Sequence, residues 1–303
     1  MLGLCADAGK ANAGLFVSVT IAPPALPVYE QPPIPGPGYM WTPGYWAWDE
    51  DVSDYYWVPG AWAPAPEPGL LWTPGYWGWN NGVYAWNAGY WGPHIGFYGG
   101  VSYGFGYTGV GFAGGYWSGG AFFYNRSVAN IGSVNITNVY NKTVINPPGA
   151  PTTSFNGGPN GIKASPTPAE LQAASEPHTP PTKDQTEHQK LASQNKDLRA
   201  SNNGGKPPIA ATSRAGDFSP KSTFAAKGAK TNGLVKPASL TPSRGRADHS
   251  TGGKTGGSTT PHTKNALANK PGTPPKGTPP KKPMVARRAP PPPPHNPSKK
   301  ASH

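Results

Sequence analysis

The amino-acid sequence predicts a mainly β protein, in which a small antiparallel repeat meander rich in Trp and Gly is followed by a long, intrinsically disordered tail rich in Pro and Lys. Three observations carry this. A Trp-x-x-Gly-x-Trp pattern recurs four times, ten of the eleven Trp lie between Trp41 and Trp91, and the net positive charge belongs to the second half of the chain. Recurrence at a short period marks a repeat architecture. Clustered large rings mark the stretch able to bury a core. A basic segment without apolar periodicity cannot offset the entropy of ordering.

The totals alone point two ways. Gly and Pro number 41 each among 303 residues, as in low-complexity chains, yet charged residues make up only 13%. Splitting the chain resolves this. Before Asn146, Lys10, Arg126 and Lys142 stand against seven acids; from Asn146 onward 23 basic residues stand against seven acidic ones. Only the first half can bury a core.

Residues 1–29 read as a leader remnant or one apolar strand. The apolar stretch 13–22 is short and lacks a basic segment directly before it, so no secretory signal is evident. The natural start is therefore expected upstream of Met1, or else the chain is cytosolic. Leu2-Gly-Leu-Cys5 resembles a lipobox, but Leu4 is the wrong residue before the cysteine. Cys5 is the sole cysteine, which excludes an intrachain disulfide and a thiolate metal cluster. Residues 23–38 are a polyproline-like connector, and no apolar run reaches the length of a transmembrane helix.

Residues 30–92 hold the repeat module. The copies are Trp41-Thr-Pro-Gly-Tyr-Trp46, Trp57-Val-Pro-Gly-Ala-Trp62, Trp72-Thr-Pro-Gly-Tyr-Trp77 and Trp86-Asn-Ala-Gly-Tyr-Trp91, with Trp48 and Trp79 two places beyond copies one and three. Pro presets φ and Gly accepts φ > 0, so Thr42-Pro43-Gly44-Tyr45 suits a type II turn that pairs Trp41 with Trp46 across strands. The alternative is a strand with a bulge at Pro-Gly, which puts Trp41, Trp46 and Trp48 on one face. Both readings need the structural glycines Gly44, Gly60, Gly75 and Gly89. Residues 49–54 and Asn80-Asn-Gly-Val83 read as hairpin loops, the second with an Asn-Gly signal.

Residues 93–145 read as a β extension. No Asp, Glu, Lys or Arg occurs between Gly92 and Asn125, and Tyr103-Gly-Phe-Gly-Tyr107 alternates with period two. That period argues for a strand with its rings on one face. Residues 127–145, β-branched and Asn-rich, supply another strand or two. Residues 146–303 form the disordered basic tail, with a transient helix at about 183–200 and a polyproline spacer, Ala289-Pro-Pro-Pro-Pro-Pro294.

The four motifs and the Gly/aromatic block after them resemble the WXXGXW (YXWGXW) repeat family of bacterial proteins, over roughly residues 30–145. The resemblance implies an exported or cell-envelope protein. It carries over location rather than a reaction, and no catalytic residue.

Flat ring faces stack on sugars and cations, so Trp41, Trp46, Trp48, Trp57, Trp62, Trp72, Trp77, Trp79, Trp86 and Trp91 are candidate binding residues. The competing reading makes them the core, because residues 39–92 hold 17 Trp and Tyr but only six larger aliphatics. Alternation along a strand still leaves some rings facing outward. Asp49, Asp51 and Ser53 have the first spacings of a calcium loop, but Asp54 and Gly60 stand where it needs Gly and Glu; a solvated loop is expected. His94 has no sequence-evident partner for acid–base or metal chemistry. The GxGxxG match at Gly104-Phe-Gly-Tyr-Thr-Gly109 lacks a βα context. No catalytic residue, metal or cofactor is expected.

The tail attracts any polyanion, but it lacks the interleaved aromatics of a dedicated nucleic-acid binder, holding only Phe155, Phe218 and Phe224. The expected function is thus that of a non-catalytic cell-envelope or secreted protein that binds envelope polysaccharide or another anionic polymer, or self-associates through aromatic β strands. The alternative is a cytosolic polyanion- or nucleic-acid-binding protein acting through its basic tail.

Overall fold

Proline has no N–H to give to a β ladder, so a Pro-Gly pair in mid-strand must interrupt it. The fold is organised around three such interruptions and a fourth at Ala88-Gly89, which keeps the glycine without the proline. In the computed structural model, which describes residues 17–144 and 152–230, a short strand β1 (Ser18–Val19) precedes the repeats. Copy one forms β2 (Tyr39–Thr42) and β3 (Tyr45–Asp49), and copy two forms β4 (Asp54–Val58) and β5 (Gly60–Pro64). β2 runs antiparallel to β5 and β3 to β4, with Thr42 opposite Ala61 and Tyr45 opposite Val58. Two residues lie between the paired positions on either side, 43–44 and 59–60, so the register is unbroken and the four strands are one long hairpin. Copies three and four repeat it as β6 (Leu71–Thr73), β7 (Tyr76–Asn80), β8 (Val83–Asn87) and β9 (Tyr90–Gly92), with β6 on β9 and β7 on β8.

Neither the type II turn nor the bulge is present. The chain runs on through Thr42-Pro43-Gly44-Tyr45, and Trp41 pairs with Trp62 rather than Trp46, which pairs with Trp57. None of Gly44, Gly60, Gly75 and Gly89 has a positive φ. Space, not backbone freedom, makes them glycine. A Cβ on Gly44 would lie 2.4 Å from the Trp57 ring and 2.7 Å from the Gly60 nitrogen, and one on Gly60 would lie 2.6 Å from the Trp41 ring. Trp86 over Gly75 and Trp72 over Gly89 reproduce the arrangement. The first indole of each copy therefore covers the glycine of its partner copy.

The Asn-Gly signal is borne out, since Asn81 and Gly82 both have positive φ, at 47° and 92°, as a two-residue type I′ turn requires. Gly119-Gly120, also at positive φ, joins β10 (Gly115–Ser118) to β11 (Ala121–Asn125), and β12 (Val139–Tyr140) adds in parallel to β11. The strand expected at Tyr103-Gly-Phe-Gly-Tyr107 is a tight loop instead. Gly104, Phe105 and Gly106 all take positive φ, and Gly104 and Tyr107 exchange both backbone hydrogen bonds, at 3.0 and 2.9 Å. The loop lowers Tyr103 and Tyr107 into the core, where their hydroxyls donate to Gly75 O (2.6 Å) and Trp72 O (2.7 Å).

Residues 152–230 correct the tail boundary drawn at 146. β13 (Phe155–Asn156) lies parallel to β7, and α1 (Pro168–Ala174), α2 (Lys183–Gln194) and α3 (Ala200–Asn203) follow. β14 (Ala211–Thr212) then sits between β5 and β15 (Thr223–Phe224). Ala192, Leu198, Ala210 and Ala211 are fully buried. The reason is hydrogen-bond accounting: buried backbone groups demand partners, and the interrupted ladders leave several without one. Ala210 O accepts from Gly60 N (3.1 Å) and from Trp57 Nε1 (2.9 Å), and His188 Nε2 donates to Pro59 O (2.9 Å).

The connector is used the same way. Ala25 O and Pro32 O accept from the Trp46 and Trp62 indoles at 3.0 and 2.8 Å. All described residues fall in one unit, Met1–Thr241. Residues 1–16, 145–151 and 231–303, with Cys5, most of the expected leader and the polyproline spacer, lie outside the described residues.

Candidate functional site

The paired hairpins decide where the tryptophans point. Opposed indoles meet at 5.3 Å (Trp41–Trp62), 5.2 Å (Trp46–Trp57), 5.3 Å (Trp72–Trp91) and 5.3 Å (Trp77–Trp86), tilted or edge-on, an arrangement that adds about 0.5–1.5 kcal/mol per pair beyond area burial. Trp41, Trp46, Trp57, Trp62, Trp77 and Trp91 are each exposed by 2% or less, and Trp72 is buried too. Trp48, Trp79 and Trp86 are half-buried, each against a tyrosine: Tyr55, Tyr84 and Tyr45 respectively. Seven of the ten candidate indoles are therefore interior, standing where another protein keeps aliphatics.

Helix α2 closes a cavity of about 90 Å³ between the two hairpins, walled by Tyr45, Trp72 and Trp86 and by Gln185, His188 and Gln189. A closed cavity that takes benzene measures roughly 150 Å³, so this one is a packing seam rather than a ring-sized pocket. His188 is buried there with both nitrogens engaged. Nε2 donates to Pro59 O, and Nδ1 accepts from Gly216 N at 3.0 Å. Burial lowers its pKa to about 4, against a smaller opposing effect of the Pro59 bond. Burial likewise pushes the Tyr29, Tyr103 and Tyr107 hydroxyls up, so they stay protonated.

The aromatic ring most exposed among the described residues lies on the sheet β10–β11–β12. Its alternation turns Phe122 and Tyr124 inward, where both are buried, and the Trp117 indole donates to Leu70 O at 2.9 Å. On the opposite face Tyr116 stacks on Phe123 at 5.3 Å and 7°, and the Tyr140 ring lies 5.2 Å from that of Tyr116. Tyr116 is 47% exposed. Three adjoining rings thus form a cluster in which Tyr116 is exposed and Phe123 and Tyr140 are half-buried.

The remaining candidates have structural surroundings. Asp49 pairs with Arg199 at 2.9 Å, while residues 50–53 are exposed. His94 is exposed and meets Glu176 at 2.9 Å. No group of three His, Cys, Asp or Glu among the described residues is placed to hold a metal ion, and no described helix is long and apolar enough to cross a membrane.

A family model for the WXXGXW repeat matches residues 36–63 and again residues 68–91. The chain carries two WXXGXW repeats. Each match spans most of one hairpin, so one WXXGXW repeat is a pair of Trp-x-x-Gly-x-Trp motifs folded on each other. No curated protein and no solved structure matches the chain. The ring cluster lies outside both WXXGXW repeats, and sequence reasoning missed it. Its signal was the period-two alternation on either side of Gly119-Gly120, a hairpin mark as legible as Asn81-Gly82.

Proposed function

We propose that this is a non-catalytic, exported protein of the cell envelope or the secreted fraction, in which the WXXGXW hairpins form a rigid scaffold and outward rings bind surface polymer. The observation that carries this is the cluster of Tyr116, Phe123 and Tyr140, in which Tyr116 is the most exposed aromatic ring among the described residues. Flat ring faces stack on the apolar faces of sugars. The likeness to the exported WXXGXW repeat proteins supports the location.

The test is retention of the whole chain on purified peptidoglycan and on neutral polysaccharide. The double variant Tyr116→Ala/Phe123→Ala is expected to lower retention about tenfold, the equivalent of one lost stacking contact, with the circular dichroism spectrum unchanged. Undiminished retention removes the cluster from the reading, and no retention of the unaltered chain removes the reading itself. Self-association through the same face predicts a second copy bound, which sedimentation velocity with the double variant distinguishes. Recovery in the periplasmic or extracellular fraction tests the location.

A second reading is favoured by charge alone: residues 231–303 carry thirteen Lys and Arg against a single acid, Asp248. Such a segment retains polyanions with strong salt dependence. A cytosolic nucleic-acid binder loses this retention when the chain ends at residue 230, and an envelope protein keeps its polymer.

A further inference from the structure

Three open cavities, of about 610, 220 and 570 Å³, lie end to end beside residues 24–31. The first two share Leu26, Pro27 and Val28 as walls, and the last two share Tyr29 and Phe105. They make one groove. Eight residues span at most about 28 Å, a length suited to an oligomer rather than a single small molecule.

The groove has a ring wall held at a cost. Tyr29 and Phe105 pack at 5.4 Å, and both are partly exposed. Phe105 sits at φ +52° between two glycines, in a region where a bulky residue stores about 1–3 kcal/mol of strain. A glycine there would fold without strain. The ring is held in place on the groove wall, one contact being with Trp41, edge-on at 5.6 Å.

The groove also has a charge. Arg126 stands at one end and Lys206 and Lys227 at the other; all three are exposed, and none makes an ion pair among the described residues. Glu30 is the sole carboxylate on the walls. Gln31 borders the Arg126 end. It is 5% exposed, its Oε1 is held by Asn130 N at 2.8 Å, and its Nε2 has no acceptor among the described residues. Guanidinium and ammonium groups can only donate, so the polar chemistry at both ends suits an anion with acceptor oxygens.

We propose that this groove binds an acidic polysaccharide, with sugar faces against Tyr29 and Phe105 and carboxylates held by Arg126 at one end and by Lys206 and Lys227 at the other. The inference rests on the polymer-binding reading above and narrows its ligand class. Guanidinium–carboxylate contacts are charge-assisted and roughly twice as strong as neutral hydrogen bonds.

The experiment is affinity electrophoresis of the full chain in gels containing polygalacturonate or neutral dextran. The variants are Phe105→Gly, Arg126→Gln/Lys227→Gln and, as a charge-matched control away from the groove, Lys183→Gln/Lys221→Gln, two exposed lysines that line none of the three cavities. Polygalacturonate is expected to retard the unaltered chain in a salt-sensitive way. Phe105→Gly and Arg126→Gln/Lys227→Gln should each weaken this about tenfold or more, while Lys183→Gln/Lys221→Gln leaves it in place. Phe105 also packs on Trp41 at 5.6 Å, so the exposed-charge pair keeps the test decisive if the glycine variant loosens the core. Retardation undiminished in both groove variants assigns the acidic polymer to other parts of the chain and overturns the inference, leaving the polymer-binding reading standing. No retardation by either polymer, together with no retention on peptidoglycan, overturns both. Groove-dependent retention of single-stranded DNA as strong as that of polygalacturonate overturns the assignment to polysaccharide.

Discussion

Replacing Gly44 or Gly75 by Ala is expected to destabilise the fold by about 3 kcal/mol, at the upper end of what overpacking costs. A methyl on Gly44 meets the Trp57 ring at 2.4 Å, Gly60 N at 2.7 Å and Val58 O at 2.8 Å; one on Gly75 meets the Trp86 ring at 2.5 Å, with Asn87 O and Gly89 N both at 2.8 Å. Two of the three neighbours are backbone of the opposite strand, so a side-chain rotation cannot relieve the contact. Trp57→Phe added to Gly44→Ala should therefore rescue only part of the loss. Gly36→Ala is the control, since nothing lies within 4 Å of its Cβ position and its φ is not positive; it is expected to be neutral or to stabilise by a few tenths of a kcal/mol. Urea unfolding with equal m-values measures the differences. A loss below 1 kcal/mol in both Gly44→Ala and Gly75→Ala would end the account of the motif as two copies in reciprocal contact.

The same contacts show why the motif was only half legible. Antiparallel pairing, the aromatic core and the Asn81-Gly82 turn all follow from composition and local turn chemistry. Which copy pairs with which does not follow from the motif, because Trp41 and Trp57 stand in near-identical settings and four glycines look alike. The partner was encoded in loop length: four residues join β3 to β4 and two join β7 to β8, whereas a longer Pro-rich stretch separates the hairpins. Glycine was read as freedom where it provides clearance.

A helix is expected at about 183–200, where α2 lies, but that this part of the tail packs on the hairpins was hidden for another reason. α2 buries only His188 and Ala192, so it has no apolar stripe to detect, and it is held by polar contacts instead. Its capping box, Thr182 with Gln185, and that of α1, Thr167 with Glu170, were readable; Gln185 Oε1 also accepts from the Trp91 indole at 2.8 Å. At the groove, Tyr29, Phe105 and Arg126 come from three distant segments, joined by ring packing of Tyr29 on Phe105 and by hydrogen bonds of Gln31 with Asn130, which no local pattern announces.

Acidification from pH 6.5 to 4 is expected to remove about 3 kcal/mol of stability through His188 alone. In the folded chain Nε2 donates to Pro59 O and Nδ1 accepts from Gly216 N, with the Phe218 ring at 4.9 Å. A second ring proton would point at a donor, and burial opposes the charge as well, which places the folded pKa at about 4 against the usual 6.5. Above pH 6.5 the imidazole is neutral in both states and the stability is complete. Between 6.5 and 4 the unfolded chain binds a proton that the folded chain refuses, so stability falls as pH falls, by up to about 1.4 kcal/mol per unit. Below 4 both states are protonated and this contribution levels off. Asp217, held below its ordinary range by Ser222 and Ser219, loses its own contribution only at lower pH, outside this window. His188→Gln retains an amide donor for Pro59 O and an acceptor for Gly216 N but cannot titrate, so its profile should be flatter between pH 6.5 and 4. Equal slopes for the two chains across that window would show that His188 is not the proton-linked latch between α2 and the first hairpin.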